Sequence, residues 1–309
     1  MSDGIISRRA WVAATLSVIQ PGLGHVYAGQ WRTGLTVLCA IYGVLFLSIS
    51  FLGGWLIGFY AVIATGVLIW VACIAAIAIR IFRSKGVASA NRPKKWHYLL
   101  FIMAAVGLSE ISPRAYNTYG RYKSFHVPAG SMMPNIELGD VIVARRFLHI
   151  EEKRQVTHGT IVVFWNTADG PRAEYVKRIA GVGGDVLSFK NGAPYIGETP
   201  LPQSRLGEYE FELSNRNGVI SATLLHESNG AASYDVLDAQ PGVGRLDNVG
   251  PYFVPENHLF MLGDNRDYSA DSRLSFAMGY VPVSDLIGEA CYILWSKDVT
   301  RIGKRFGDC

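Results

Sequence analysis

Between Gly34 and Ile79 the chain carries no charged residue, an apolar run long enough for two helices of the ~20 residues that a membrane crossing takes. Gly53 and Gly54 fall near its middle, where a tight turn between two such helices belongs. The pattern predicts a first span over roughly Gly34–Leu52 and a second over roughly Trp55–Ile79. A third, shorter apolar stretch covers Tyr98–Ile111, with Glu110 near its end. Ahead of all three, Trp11–Tyr27 is apolar but broken by Pro21, Gly22 and Gly24, and reads as an interfacial or re-entrant segment. Beyond about Ser112 the pattern changes. Short apolar runs alternate with Gly, Asn, Asp and Pro: Asp140–Ala144, Thr160–Trp165, Glu174–Ile179, Asp185–Phe189, His258–Leu262 and Ala290–Trp295. Runs of that length bounded by turn residues predict strands, and Asn191-Gly192 predicts a two-residue hairpin turn. The expected architecture is a set of N-terminal transmembrane α-helices, residues 1–112, followed by a mainly antiparallel β domain, residues 113–309, with a loop-rich insertion at about 187–256.

Charge changes this picture by fixing an orientation. The net charge is +4 and the pI about 8.8. Arg80, Arg83, Lys85, Arg92, Lys94 and Lys95 crowd one segment with no Asp or Glu between Arg80 and Trp96. A basic loop directly after an apolar span marks the cytoplasmic side. No base-stacking motif accompanies it, so a nucleic-acid partner is not expected. With that loop inside, the short third span leads out, and the β domain lies on the outer face of the cytoplasmic (inner) membrane, against membrane lipid. Hydrophobic residues make up 50% of the chain and mean hydropathy is +0.20, as an anchored protein requires. Of the four cysteines, Cys39 and Cys73 lie in the apolar run. Cys291 and Cys309 lie in the β region, where pairing and two free thiols both stay open. No CxxC or metal-ligand spacing occurs, and Pro21–Gln30 has a GxG pattern but follows no strand. Neither a metal nor an organic cofactor is expected.

Three stretches carry candidate chemistry. The first, Phe125–Asp140, places Gly130-Ser131 beside prolines at a strand end, exposing a hydroxyl on a turn. A nucleophilic serine needs a base, yet none of the seven histidines sits in a context that singles it out. A lysine is the other option. Lys177 lies in the apolar run Glu174–Ala180, where burial would disfavour its ammonium and lower its pKa. Spacing alone favours an ordinary surface Lys-Arg pair on a half-exposed strand. The third stretch, Phe260–Arg273, follows an apolar strand and is dense in hydrogen-bonding side chains; Asp271 and Arg273 are a candidate pair.

Taken together, "PAGSMMPNIELGD", "YVKRIAGVGGD" and "LGDNRDYSADSR" resemble, in order and spacing, the three segments of bacterial signal peptidase I, and the resemblance covers roughly residues 120–296. It implies a catalytic domain of signal peptidase type. Ser131 would be the nucleophile and Lys177 its general base; Ser269 would orient the lysine amine. Asp271 and Arg273 would stiffen the third segment, with Gly263 and Asp264 shaping its start. Phe125, Val127, Pro128, Met132, Ile136, Tyr175 and Val176 would line shallow pockets for small side chains, hence a cut after Ala-x-Ala, with the substrate extended along strand edges. The implied partners are signal peptides of exported preproteins and the protein translocation machinery. The chain departs from the family pattern at Ala129, where many members carry a serine that helps hold the oxyanion, and also at Asn135, His158-Gly-Thr160 and Gly183. Two further readings stay open: a specialised maturation protease with a narrow substrate set, and a non-catalytic signal-peptide-binding protein.

Overall fold

The computed structural model describes the backbone of residues 2–52, 64–72, 74–76, 79, 94–168, 170–212 and 218–307, and their side chains except 2–10, 45–52 and 110–119. The chain divides into two compact units, Met1–Gly120 and Arg121–Cys309.

The first unit is helical: α1 (Ser2–Ile19), α2 (Leu23–Tyr27), α3 (Trp31–Leu52) and α4 (Lys95–Tyr119). Residues 64–72 are also helical. Pro21 and Gly22 end α1, and Gly22 turns the chain at φ 91°. Glycines let these segments approach closely. A Cβ on Gly24 would stand 2.2 Å from both the Ala13 carbonyl oxygen and Ser17 Oγ, and one on Gly22 2.2 Å from the Gly34 carbonyl oxygen. Val26, Leu38 and Phe101 fill the small core between α2, α3 and α4. The first expected span falls on α3; of the second, residues 64–72, 74–76 and 79 are helical and the remainder lies outside the described residues. Among the described residues no helix is long and apolar enough to cross a membrane. In α4 the apolar stretch stops at Glu110, about 18 Å from Tyr98 at 1.5 Å per residue, against a hydrocarbon core of about 30 Å.

The second unit is mainly antiparallel β. Its largest sheet has seven strands in the order β1-β2-β14-β3-β4-β12-β13. These are β1 (Tyr122–His126), β2 (Val141–Arg146), β3 (Ile161–Asn166), β4 (Ala173–Val182), β12 (His258–Leu262), β13 (Val281–Pro282) and β14 (Leu286–Trp295). Both faces of this sheet are buried. On β3, Ile161 and Val163 join one core with Phe125, Met132, Ile136 and Ile293, while the alternate Val162 and Phe164 join a second with Ile179, Leu259 and Met261. Side chains alternate in a strand, so β3 is apolar at each position from Ile161 to Trp165. Irregularities in the β14 ladder after Ala290 and Ile293 bend the sheet, as bulges do.

Between β4 and β12 the chain builds two smaller sheets. β5 (Val186–Lys190), β6 (Ala193–Ile196), β7 (Thr199–Pro200) and β11 (Val249–Phe253) form one, and β8 (Gln203–Glu212), β9 (Val219–Asn229) and β10 (Ala232–Asp238) the other. The β5–β6 turn is Asn191-Gly192, with φ of 51° and 83°, the paired positive values that the two-residue hairpin needs.

Substituting Gly24→Ala should destabilise the helical unit by about 1–3 kcal/mol, read as thermal unfolding of the full chain in detergent. Gly43→Ala, inside α3 and with a Cβ that meets nothing within 4 Å, should stabilise it by about 0.5–1 kcal/mol. Equal effects would refute the close-packing account.

Candidate active site

The segment after β1 is a loop closed at its base. The Val127 N–H donates to the Asp140 carbonyl oxygen (2.9 Å) and the Gly139 N–H to that of Val127 (2.8 Å). Met132 and Ile136 anchor it in the core. Arg301 holds it from below, donating to the carbonyl oxygens of Pro134 (3.2 Å) and Asn135 (3.0 Å) and to Asp140 Oδ2 (3.0 Å). Ser131 is presented at the top of this loop, partly exposed.

Lys177 reaches it from β4. Its side chain is only 3% exposed, and Nζ lies 2.5 Å from Ser131 Oγ. Neighbours in a strand point to opposite faces, so the adjacent Arg178 turns away from the serine. Its Nε and one terminal nitrogen each donate to Asp264 at 2.7 Å, and the other donates to the Gly159 carbonyl oxygen at 2.6 Å. The Lys-Arg pair that reads as surface in the sequence is therefore buried on both faces. Burial is the main cause that pushes the Lys177 pKa down, to about 8, against the pull of Asp271 and Asp264 upward and with help from Arg273.

The third segment wraps the pair. Asn265 brackets Ser131: its N–H donates to the Ser131 carbonyl oxygen and its Nδ2 to that of Gly130, both at 3.1 Å. Gly263 has to be glycine, since a Cβ there would stand 2.2 Å from Ser269 Oγ and 2.5 Å from the Ser131 carbonyl oxygen. Asp271 is fully buried, which by itself raises a carboxyl pKa. Arg273, donating to it through Nε and a terminal nitrogen at 2.9 Å each, outweighs that and holds the group below its usual value, helped by the Gly263 N–H at 3.2 Å. Asp264 is tied to Arg178 and to Asn135 Nδ2 (2.8 Å). Ser269 is buried near this centre, but among the described residues its Oγ has no hydrogen-bond partner and none to Lys177.

A cleft of about 480 Å³ opens over Ser131 and Lys177. Phe125, Val127, Pro128, Ala129 and Met132 form one wall, and Tyr175 and Val176 belong to the other. Ile136 does not reach it; it is fully buried in the core behind Met132. His126, Glu174, Tyr268 and Ala270 also face the cleft and were not singled out from sequence. The walls are two free strand edges. β1 ends the sheet, and β4 pairs with β12 only from Arg178 onward, leaving Ala173–Lys177 bonded on the β3 side alone. Asn265 and Arg178 were likewise given no part from sequence, and Asn135 was noted solely as a departure from the family pattern. All three lie in the quoted segments, but only their bonds to residues far off in sequence give them a part.

A hydroxyl held against a buried amine of lowered pKa, on the floor of a strand-wide cleft, is a site equipped for nucleophilic attack on an extended polypeptide. A model of the family "Signal peptidase, peptidase S26" matches residues 95–295, and the chain belongs to this family. It is 29% identical over 189 residues to signal peptidase I of Pseudomonas fluorescens, covering 55% of this chain and 63% of that protein. It is also 29% identical over 199 residues to signal peptidase I of Rickettsia typhi, covering 57% and 73%. A crystal structure of a signal peptidase I from Enterococcus faecalis aligns at 20% identity and a TM-score of 0.25, over 44% of this chain and 96% of that one.

A lysine whose pKa is depressed on folding costs stability wherever the unfolded chain would hold the proton more firmly. That cost is complete below about pH 8 and fades as pH rises toward the unfolded value of about 10.4. Lys177→Met should therefore raise the unfolding free energy by about 1–3 kcal/mol at pH 7 and by much less at pH 10. Denaturant titration at both values checks it; a destabilisation independent of pH would contradict a lysine buried at such cost.

Proposed function

We propose that the chain is an endopeptidase that removes signal peptides from exported preproteins, with Ser131 as nucleophile and Lys177 as general base. The observation that carries the proposal is the Lys177 Nζ to Ser131 Oγ contact of 2.5 Å with the amine buried and its pKa near 8. The substrate lies extended between the free edges of β1 and β4 and adds a strand to them. Neutral Lys177 takes the Oγ proton as Oγ bonds to the scissile carbonyl carbon. Among the described residues the Ser131 N–H has no protein acceptor, and it donates to the resulting oxyanion. Collapse breaks the C–N bond, and the Lys177 ammonium returns its proton to the leaving amine. In the second half Lys177 takes a proton from water, whose oxygen attacks the acyl carbon, and gives it back to Ser131 Oγ. The shallow cleft between Phe125, Val127 and Val176 favours small side chains, hence Ala-x-Ala before the cut.

The helical unit serves as the membrane anchor, on the strength of the uncharged run Gly34–Ile79 and the basic segment after it. An outer-face position of the β unit is supported by Cys291, which is disulfide-bonded, since disulfides persist in oxidising compartments. Cys309 lies outside the described residues.

The test is cleavage of a preprotein with an Ala-x-Ala site by the full chain in detergent. Ser131→Ala and Lys177→Ala should each lower kcat/KM by at least about 10³-fold; retained cleavage in either would sink the proposal. The acid limb of kcat/KM should have an apparent pKa of about 8, with activity rising as pH rises because the base is the neutral amine. Arg273→Gln releases Asp271 to face Lys177 and should move this limb to higher pH, whereas Asp271→Asn should move it lower. Ala129→Ser should raise kcat by up to about 10-fold by adding an oxyanion donor; an unchanged rate would place residue 129 away from the developing charge.

A further inference from the structure

The cleft has a charged end. Lys123 on β1 and Glu174 on β4 form an ion pair of 2.6 Å between Nζ and Oε1. These two strands stand at the first and fifth places of the sheet order and share no ladder, so this pair joins the two free edges across the gap between them. Alternation places Lys123 on the same side of β1 as Phe125, and Glu174 on the same side of β4 as Val176. Phe125, Glu174 and Val176 all line the cleft. The lysine is further held over the Phe125 ring, its Nζ 4.6 Å from the centroid, a contact that favours a cation. The two side chains are 35% and 33% exposed, open to whatever enters.

Glu174 is three residues along β4 from Lys177, roughly 10 Å at about 3.3 Å per residue. The first and third residues before the cut face Phe125 and Val176, on the same side as the pair, so the next side chain of an extended substrate that turns toward the pair is that of the fifth residue before the cut. We infer that the Lys123–Glu174 ion pair is a charge filter across the upstream end of the substrate cleft, admitting neutral side chains at that substrate position and discriminating against charged ones of either sign. The inference rests on the endopeptidase reading for its register. The physical reason is symmetric: an incoming cation meets Lys123 and an incoming anion meets Glu174, and each has to break a formed pair to find its own partner. Removing one member breaks the symmetry and leaves a site of defined sign.

The experiment uses the full chain in detergent and three peptides, identical except for Ala, Lys or Glu at the fifth residue before the cut, with Ala-x-Ala ahead of it. Cleavage is read as kcat/KM, and affinity is read separately as Kd in a Ser131→Ala background. Wild type should favour the Ala peptide over both others, with Lys and Glu peptides within about twofold of each other. Lys123→Gln should favour the Lys peptide over the Glu peptide by roughly fivefold, and Glu174→Gln should favour the Glu peptide by a similar factor. Both preferences should shrink in 1 M salt, where screening acts within about 3 Å. A Lys-to-Glu ratio that is the same in all three proteins overturns the filter. If wild type cuts none of the peptides, the endopeptidase reading falls, and the Kd ratios alone decide whether the filter stands.

Discussion

The site depends on an ammonium group removed from water without a carboxylate of its own. A lysine at the surface is charged at neutral pH and useless as a base; one paired with a buried carboxylate stays charged too. Lys177 escapes both conditions because the two carboxylates nearest to it in charge are already taken. Asp271 is occupied by Arg273, and Asp264 by Arg178 and Asn135. The guanidiniums, which do not deprotonate, absorb the negative charge, and the amine is left with the Ser131 hydroxyl. Much of the surrounding polar network follows from this one requirement.

That network is costly to bury, and the fold surrounds it with packing to hold it. Behind the Ser131 loop, Glu227 accepts from Arg266, Tyr234 and Gln203, and the Tyr234 ring lies 3.7 Å from the Arg178 guanidinium carbon. Breaking such a buried pair strands a charge and costs far more than the pair contributes when intact, so each member holds the others in register. The strands of the insertion therefore do more than decorate the sheet. β9 and β10 supply Glu227 and Tyr234, which fix the far side of the same segment that wraps Ser131 and Lys177.

The β architecture was legible where burial on both faces forces an apolar run, as in β3, and where a turn needs positive φ, as at Asn191-Gly192. β8 was not legible. Its exposed Glu208, Glu210 and Glu212 follow the alternation of a one-faced strand, with no apolar run to mark it. Lys177 and Ser131 stood out only through a resemblance, because which face of β4 a lysine takes is a matter of register that the local sequence does not state. Ile136 illustrates the reverse. As an apolar residue near Ser131 it belongs equally to a wall or a core, and the folded loop packs it into the core with Met132. The helical unit was read from one uncharged run, much of which lies outside the described residues. Of its close glycine contacts, Gly22 and Gly24 were read merely as a break in the pattern and Gly34 merely as the start of a span.

The most direct measurement is the titration of Lys177 itself, followed by NMR of the lysine side-chain carbon in the Ser131→Ala full chain, with Lys177→Met identifying the signal. A midpoint near 8 is the result this account predicts. A midpoint at the ordinary lysine value of about 10.4 would mean that the amine is paired or solvated, and that Lys177 is not the base.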